Sequence, residues 1–149
     1  LGPILARVIS LHEPAARLAG VDLRTLPTAL VAVCDPALVE RTLGNFIANA
    51  LRHARARRVL VAARRRGLAV RLWVVDDGAG LSEVDPEALF ADFVQGDHGD
   101  EIRGGYGLGL ASARRMAGMM AGEVGVRTRP GRGSGFYLDL PRAVEGSPR

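Results

Sequence analysis

The stretch AVRLWVVDDGAG, residues 69–80, constrains the fold more than any other. It alternates and then becomes continuously apolar, as a central strand does. It ends on Asp76 and Asp77, followed by Gly78 and Gly80. A carboxylate at the end of a buried strand needs a partner. Asp76 is placed to accept a hydrogen bond from an exocyclic amine such as that of adenine, with the glycines letting the loop wrap close to the ring. The competing reading is a strand-to-loop turn in which Asp76 caps nearby amides.

Around that strand the chain reads as one α+β domain. Apolar residues at helical spacing run through 3–19, where Pro14 is an expected interruption. Val21–Thr25 and Leu30–Cys34 read as short strands with a turn at Pro27. Asp35-Pro36 is an N-cap followed by Pro at the first helical position, opening a helix to about His53. That helix turns Leu38, Thr42, Leu43, Phe46, Ile47 and Ala50 inward. Arg58–Arg64 and Ala69–Asp76 are strands joined at Gly67, and Pro86–Phe93 is a short helical piece. Leu108–Ala121 is a helix closed by Gly122, followed by the hairpin Val124–Thr128 and Gly135–Leu140. The expected architecture is a two-layer sandwich: a mixed, mostly antiparallel sheet packed on about three helices.

Three further stretches have the chemistry of a phosphate or cation site. IRGGYGLGL, residues 102–110, gathers glycines just before a helix. Bare N–H groups at a helix N-terminus favour an anion, although a glycine hinge reads similarly. The P-loop is excluded because the chain has no Lys, and the Rossmann fingerprint because Leu110 stands where its third Gly belongs. On the 36–53 helix, Asn45 and Asn49 share a face, with Arg52 and His53 one turn on. Amide oxygens suit Mg²⁺, and Arg52 suits a phosphate; ordinary polar surface is the plainer reading. In GRGSGF, residues 131–136, Gly131, Gly133 and Ser134 suit either a phosphate or a plain hairpin turn.

Together and in this order, these stretches resemble the ATP-binding domain of sensor histidine kinases, in the superfamily that includes gyrase, Hsp90 and MutL ATPases. The resemblance covers nearly the whole chain. Residues 41–53 resemble the family's N box, Asp76 to Gly80 its G1 box, and LFADF, through Phe90 and Phe93, its F box. GYGLGL resembles its G2 box and GRGSGF its closing motif. The resemblance implies Mg²⁺ held by Asn49 with Asn45 assisting, and adenine held by Asp76 in a pocket shaped by Gly78 and Gly80. It implies phosphates cradled by Gly105, Tyr106, Gly107, Leu108 and Gly109, with Ser134, Arg52 and Arg103 as further contacts. Residues 94–106 would be a mobile ATP lid. Tyr106 departs from the small or hydroxylated residue usual at its position.

The implied reaction is transfer of the γ-phosphate of ATP to a histidine on a separate dimerisation domain of the same protein, with a response regulator downstream. Hydrolysing relatives carry a water-activating Glu where this chain has Asn45, and Glu40 falls on another part of the helix. An ATPase of the same superfamily and a nucleotide-free docking module are the alternatives. His12-Glu13-Pro14 is not an acceptor motif, since Pro would break the long helix an acceptor needs.

Composition narrows the rest. The 149 residues, 48% hydrophobic, suit a single domain over 1–149, and the Leu1 start suggests a cut from a longer chain. One cysteine, Cys34, suits a reducing compartment, so a cytoplasmic domain is expected, whether or not the parent is membrane-anchored. No membrane contact by the domain is expected. All 20 basic residues are Arg and the net charge is +4, which permits an anionic partner without requiring one. Arg64-Arg65-Arg66 reads as a solvated hairpin end, and no aromatic residues interleave it, so nucleic acid is not an expected partner.

Overall fold

In a computed structural model, residues 1–53, 55–81, 86–91 and 107–143 are described. The expected lid at 94–106, with Arg103, Gly105 and Tyr106, and Phe93 of the F-box match lie outside them.

Five strands form one sheet: β1 (Asp22–Thr25), β2 (Arg58–Arg66), β3 (Ala69–Asp76), β4 (Glu123–Arg129) and β5 (Gly133–Pro141). Their order is β1-β2-β3-β5-β4. β1 runs parallel to β2 and all other pairs are antiparallel, which is the mixed, mostly antiparallel sheet expected. A parallel pair needs a crossover. Helix α2 (Pro36–His53) supplies it, and α1 (Gly2–Ala19), the short α3 (Pro86–Phe90) and α4 (Gly107–Met119) are the other helices among the described residues.

Helix α2 starts where the sequence marks it, with Asp35 Oδ1 accepting the Ala37 N–H at 2.9 Å. Its buried positions Val39, Leu43, Phe46, Ile47 and Ala50 recur at helical spacing and meet Leu72, Val74, Phe136 and Leu138 of the sheet in one core. Each of the larger of these side chains, from Val to Phe, contributes on the order of 1.5–3 kcal/mol when fully buried rather than exposed. Phe136 stacks on Phe46 at 5.5 Å and meets Phe90 edge-on at 6.2 Å, which ties α2, β5 and α3 together.

Two expectations fail. Pro14 does not interrupt α1, which continues to Ala19 and closes on Gly20 at φ 70°. Pro14 removes the hydrogen bond to the Ser10 carbonyl, and both residues are exposed, so that carbonyl is open to water. Leu30–Cys34 is no strand but a single bridge, Ala32 to Arg142. Asp35 opens α2 directly after Cys34, so the ladder has no room to extend.

Candidate nucleotide-binding site

The alternation along β3 decides which carboxylate faces the helices. Val70, Leu72, Val74 and Asp76 are buried, and Asp76 is 4% exposed. Its Oδ1 accepts the Gly78 N–H at 2.9 Å. Burial raises its pKa; the Gly78 and Ser134 N–H groups pull it down, and the Asp77 charge adds to the rise. Asp77 does a different job. Its Oδ1 accepts the Arg57 and Arg58 N–H groups at 2.8 and 2.9 Å, anchoring the start of β2. The Arg58 N–H hydrogen bond, with that of Arg57 behind it, outweighs its slight burial and lowers its pKa.

The loop after β3 is clasped by the β4–β5 turn. Gly80 has φ +73°, and a Cβ there would collide with the Arg129 carbonyl. Gly133, at φ +105°, lies so close that a Cβ would strike the Asp76 carbonyl. The Gly131 N–H donates to the Ala79 carbonyl at 2.6 Å, and the Leu81 N–H to Thr128 Oγ1 at 2.7 Å. Thr128 Oγ1 also meets Ser134 Oγ at 2.9 Å. Ser134 pairs in register with Asp76, so it sits at the carboxylate end of the site. Sequence reasoning missed Thr128, because a single Thr among strand residues carries no signal until its partners are known.

On α2, Asn45 Nδ2 donates to the Gly109 carbonyl at 3.0 Å, drawing the glycine-rich start of α4 against the N-box face. A Cβ on Gly109 would lie 3.9 Å from Asn45 Cγ and 4.0 Å from Asn49 Oδ1. Asn49 is 6% exposed, and its Nδ2 has no hydrogen-bond partner. A buried amide without a partner costs about 1–3 kcal/mol, so a ligand that supplied one would recover that cost. Because an amide can turn end for end, Asn49 can offer either its oxygen to a cation or its N–H₂ to a phosphate. Among the described residues no cluster of three His, Cys, Asp or Glu side chains could hold a metal. A magnesium ion here would rest on amide oxygen, water and ligand phosphates, a donor set it favours.

The structure thus brings Asn45, Asn49 and Gly109 together. Asp76, Gly78, Gly80 and Ser134 form a second cluster at the end of the sheet where α2 delivers the chain into β2. Gly107 and Leu108 open α4, with its free N–H groups at this start. Arg52 is exposed in the last turn of α2. Beside it, desolvation and then the Arg52 charge lower the pKa of His53. His12 lies away from these clusters: its Nδ1–H donates to the Val8 carbonyl at 2.9 Å, and its ring packs against Gly44 of α2. These contacts, not a break at Pro14, set it aside as an ordinary residue.

A two-layer α+β sandwich with amides on a helix, a buried carboxylate at a strand end and a glycine-opened helix defines a nucleotide-binding class. The family model described as histidine kinase-, DNA gyrase B- and HSP90-like ATPase matches residues 34–144. The chain belongs to that family, as an ATP-binding domain of the histidine kinase type. The sensor-like histidine kinase SenX3 of Mycobacterium tuberculosis is 36% identical over 145 residues, covering 95% of this chain and 35% of SenX3. The chain therefore spans about a third of that relative's length. Full-length ShkA, solved in complex with AMPPNP, is 31% identical with a TM-score of 0.79 over 99% of this chain and 31% of ShkA. The ATP binding domain of PrrB from Mycobacterium tuberculosis is 26% identical with a TM-score of 0.73, over 96% of this chain and 94% of its own.

Proposed function

We propose that this domain binds ATP with Mg²⁺ and presents the γ-phosphate to a histidine on a dimerisation domain of the same protein, in the cytoplasm, with a response regulator downstream. The observation that supports it most is the buried, unpartnered amide of Asn49 beside the glycine start of α4. Asp76 accepts the adenine amine, while Gly78 and Gly80 let the loop approach the ring and Ser134 lies at that end. Asn49, assisted by Asn45, faces the metal and phosphates. The N–H groups of Gly105 to Gly109 cradle the phosphates, and Arg52 and Arg103 add positive charge.

When bound, Mg²⁺ neutralises phosphate charge. The acceptor imidazole nitrogen then attacks the γ-phosphorus as the bond to the β,γ-bridging oxygen breaks and ADP leaves. The chain's own contribution is positioning and charge. Neither α2 position weighed as a water-activating base is free for that role. Asn45 takes no proton and is held on Gly109, and Glu40 is held by Arg7 at 2.8 Å. That favours transfer over hydrolysis.

Calorimetry with ATP·Mg²⁺ on wild type, Asp76→Ala and Asn49→Ala tests the pocket. Both variants should bind at least about tenfold more weakly, the loss of roughly 1.4 kcal/mol. Wild-type affinity retained in Asp76→Ala rejects the assignment. A separately made acceptor domain should acquire phosphohistidine; steady phosphate release without it would favour an ATPase instead.

A further inference from the structure

The sheet face turned away from the core carries a groove of about 380 Å³. Register sets its floor: Leu60, Val75 and Gly135 lie side by side across β2, β3 and β5, with Ala62, Trp73 and Tyr137 in the next row. Trp73 lies over Gly135, where a Cβ would come within 2.9 Å of the indole, and Tyr137 meets the indole edge at 5.1 Å. Val75 stays 40% exposed and Leu26, at one side, 44%. Toward this face β3 turns the apolar Trp73 and Val75 beside Arg71, yet among the described residues no helix covers it.

The rim is cationic. Arg64, Arg127, Arg129 and Arg132 line the groove and are exposed. Among the described residues, no carboxylate pairs with any of the four. The one acid lining the groove, Asp76, is buried and already accepts the Gly78 N–H. Arginine is this chain's only basic residue, so its abundance carries no weight; its placement without counter-charge does. On the same face, Arg71 is neutralised by a bidentate pair with Asp139 at 2.7 and 2.8 Å.

We infer that this face docks an extended acidic peptide segment of a partner protein, with an apolar side chain at its middle seated on Trp73 and Val75. Spacing favours a peptide over a single nucleotide. Arg64 and Arg127 are separated by three strand spacings and two register rows, about 20 Å, the length of roughly six extended residues. It disfavours single-stranded nucleic acid, which stacks successive bases on exposed rings. Here the two aromatic rings pack on each other, and the rest of the floor is aliphatic.

The groove meets the nucleotide cluster at Asp76 and Ser134, but the docking contacts, Trp73, Val75 and the arginine rim, involve neither residue. Trp73 is the only tryptophan, so the chain reports on its own groove. The probe is a fluorescein-labelled octapeptide, Glu-Asp-Glu-Phe-Leu-Glu-Asp-Glu, titrated into the whole chain. Saturable binding should raise anisotropy, shift indole emission and weaken as salt increases. Arg127→Glu with Arg129→Glu, both exposed and checked for folding by circular dichroism, should raise Kd at least about tenfold. A probe with Ser-Ser in place of Phe-Leu should lose a similar factor. The inference is overturned by absent binding, by binding that the charge reversal leaves intact, or by stoichiometric displacement with ATP·Mg²⁺. Displacement of the peptide by oligothymidylate at lower concentration would overturn it in favour of a nucleic-acid surface.

Discussion

Strand β3 serves two faces that are built differently. Toward the helices it presents Val70, Leu72 and Val74, at 0–2% exposure, and then Asp76. Away from them it presents Arg71, Trp73 and Val75. The inner face is covered by the helices, so its side chains are immobilised by packing. The outer face gains burial only where its own side chains cover one another, as Arg71 does, stacked 3.7 Å from the Tyr137 ring and clamped on Asp139. The difference shows how one strand can both hold a buried carboxylate rigidly and leave a surface open. Rigidity comes from one side, and recognition on the other side costs the core nothing.

The largest expected effect is on the inner face. Leu72→Ala should destabilise the domain by about 4 kcal/mol, the transfer loss plus a cavity that fixed helices cannot close. Val75→Ala, on the outer face, should cost under about 1 kcal/mol. Urea denaturation of the two reads the contrast directly, and equal losses would erase it. Next comes Arg71→Ala, at about 3 kcal/mol, because it strands the Asp139 carboxylate on a largely covered surface. Adding Asp139→Leu to Arg71→Met should recover most of that; no recovery would mean the pair is not what stabilises this row. Third is Gly80→Ala, at about 2 kcal/mol. It forces a side chain into positive φ and against the Arg129 carbonyl, with loosening of the 77–81 loop visible as faster amide exchange at Leu81.

Much of this was legible in the residues. Helix α2 followed from Asp35-Pro36 and its apolar spacing, and β3 and its hairpin with β2 from alternation and Gly67. The same alternation, through Val70, Leu72 and Val74, puts Asp76 rather than Asp77 inside. What stayed hidden depended on partners distant in sequence. Thr128 serves Leu81 and Ser134 only once the β4–β5 turn folds over the loop. Pro14 misled because its cost falls on an exposed turn of α1, while Leu5, Val8 and Ala16 stay packed in the core on the other side. Leu30–Cys34 has strand chemistry, but the next residue is already a helix cap. The arginine rim was invisible because β2 and β4 become co-facial only through the order β1-β2-β3-β5-β4.

The smallest expected effect separates two neighbouring carboxylates by sign. The Asp76 pKa is raised from its ordinary 3.8, so the native state holds that proton more tightly than the unfolded chain. Its contribution is present below 3.8 and is lost as pH rises through the raised native value. The Asp77 pKa is lowered from 3.8, so its contribution is present above 3.8 and is lost as pH falls through the depressed value. Urea titrations at a series of acid and near-neutral pH values should therefore give opposite slopes. Wild-type stability relative to Asp76→Asn should fall with rising pH, and relative to Asp77→Asn it should rise. Slopes of the same sign would mean that the two are not divided between core and surface as β3 divides them. Saturating ATP·Mg²⁺ adds a sharper form. A ligand N–H donated to Asp76 would draw its pKa back toward the ordinary value, flattening the first slope while leaving the second unchanged.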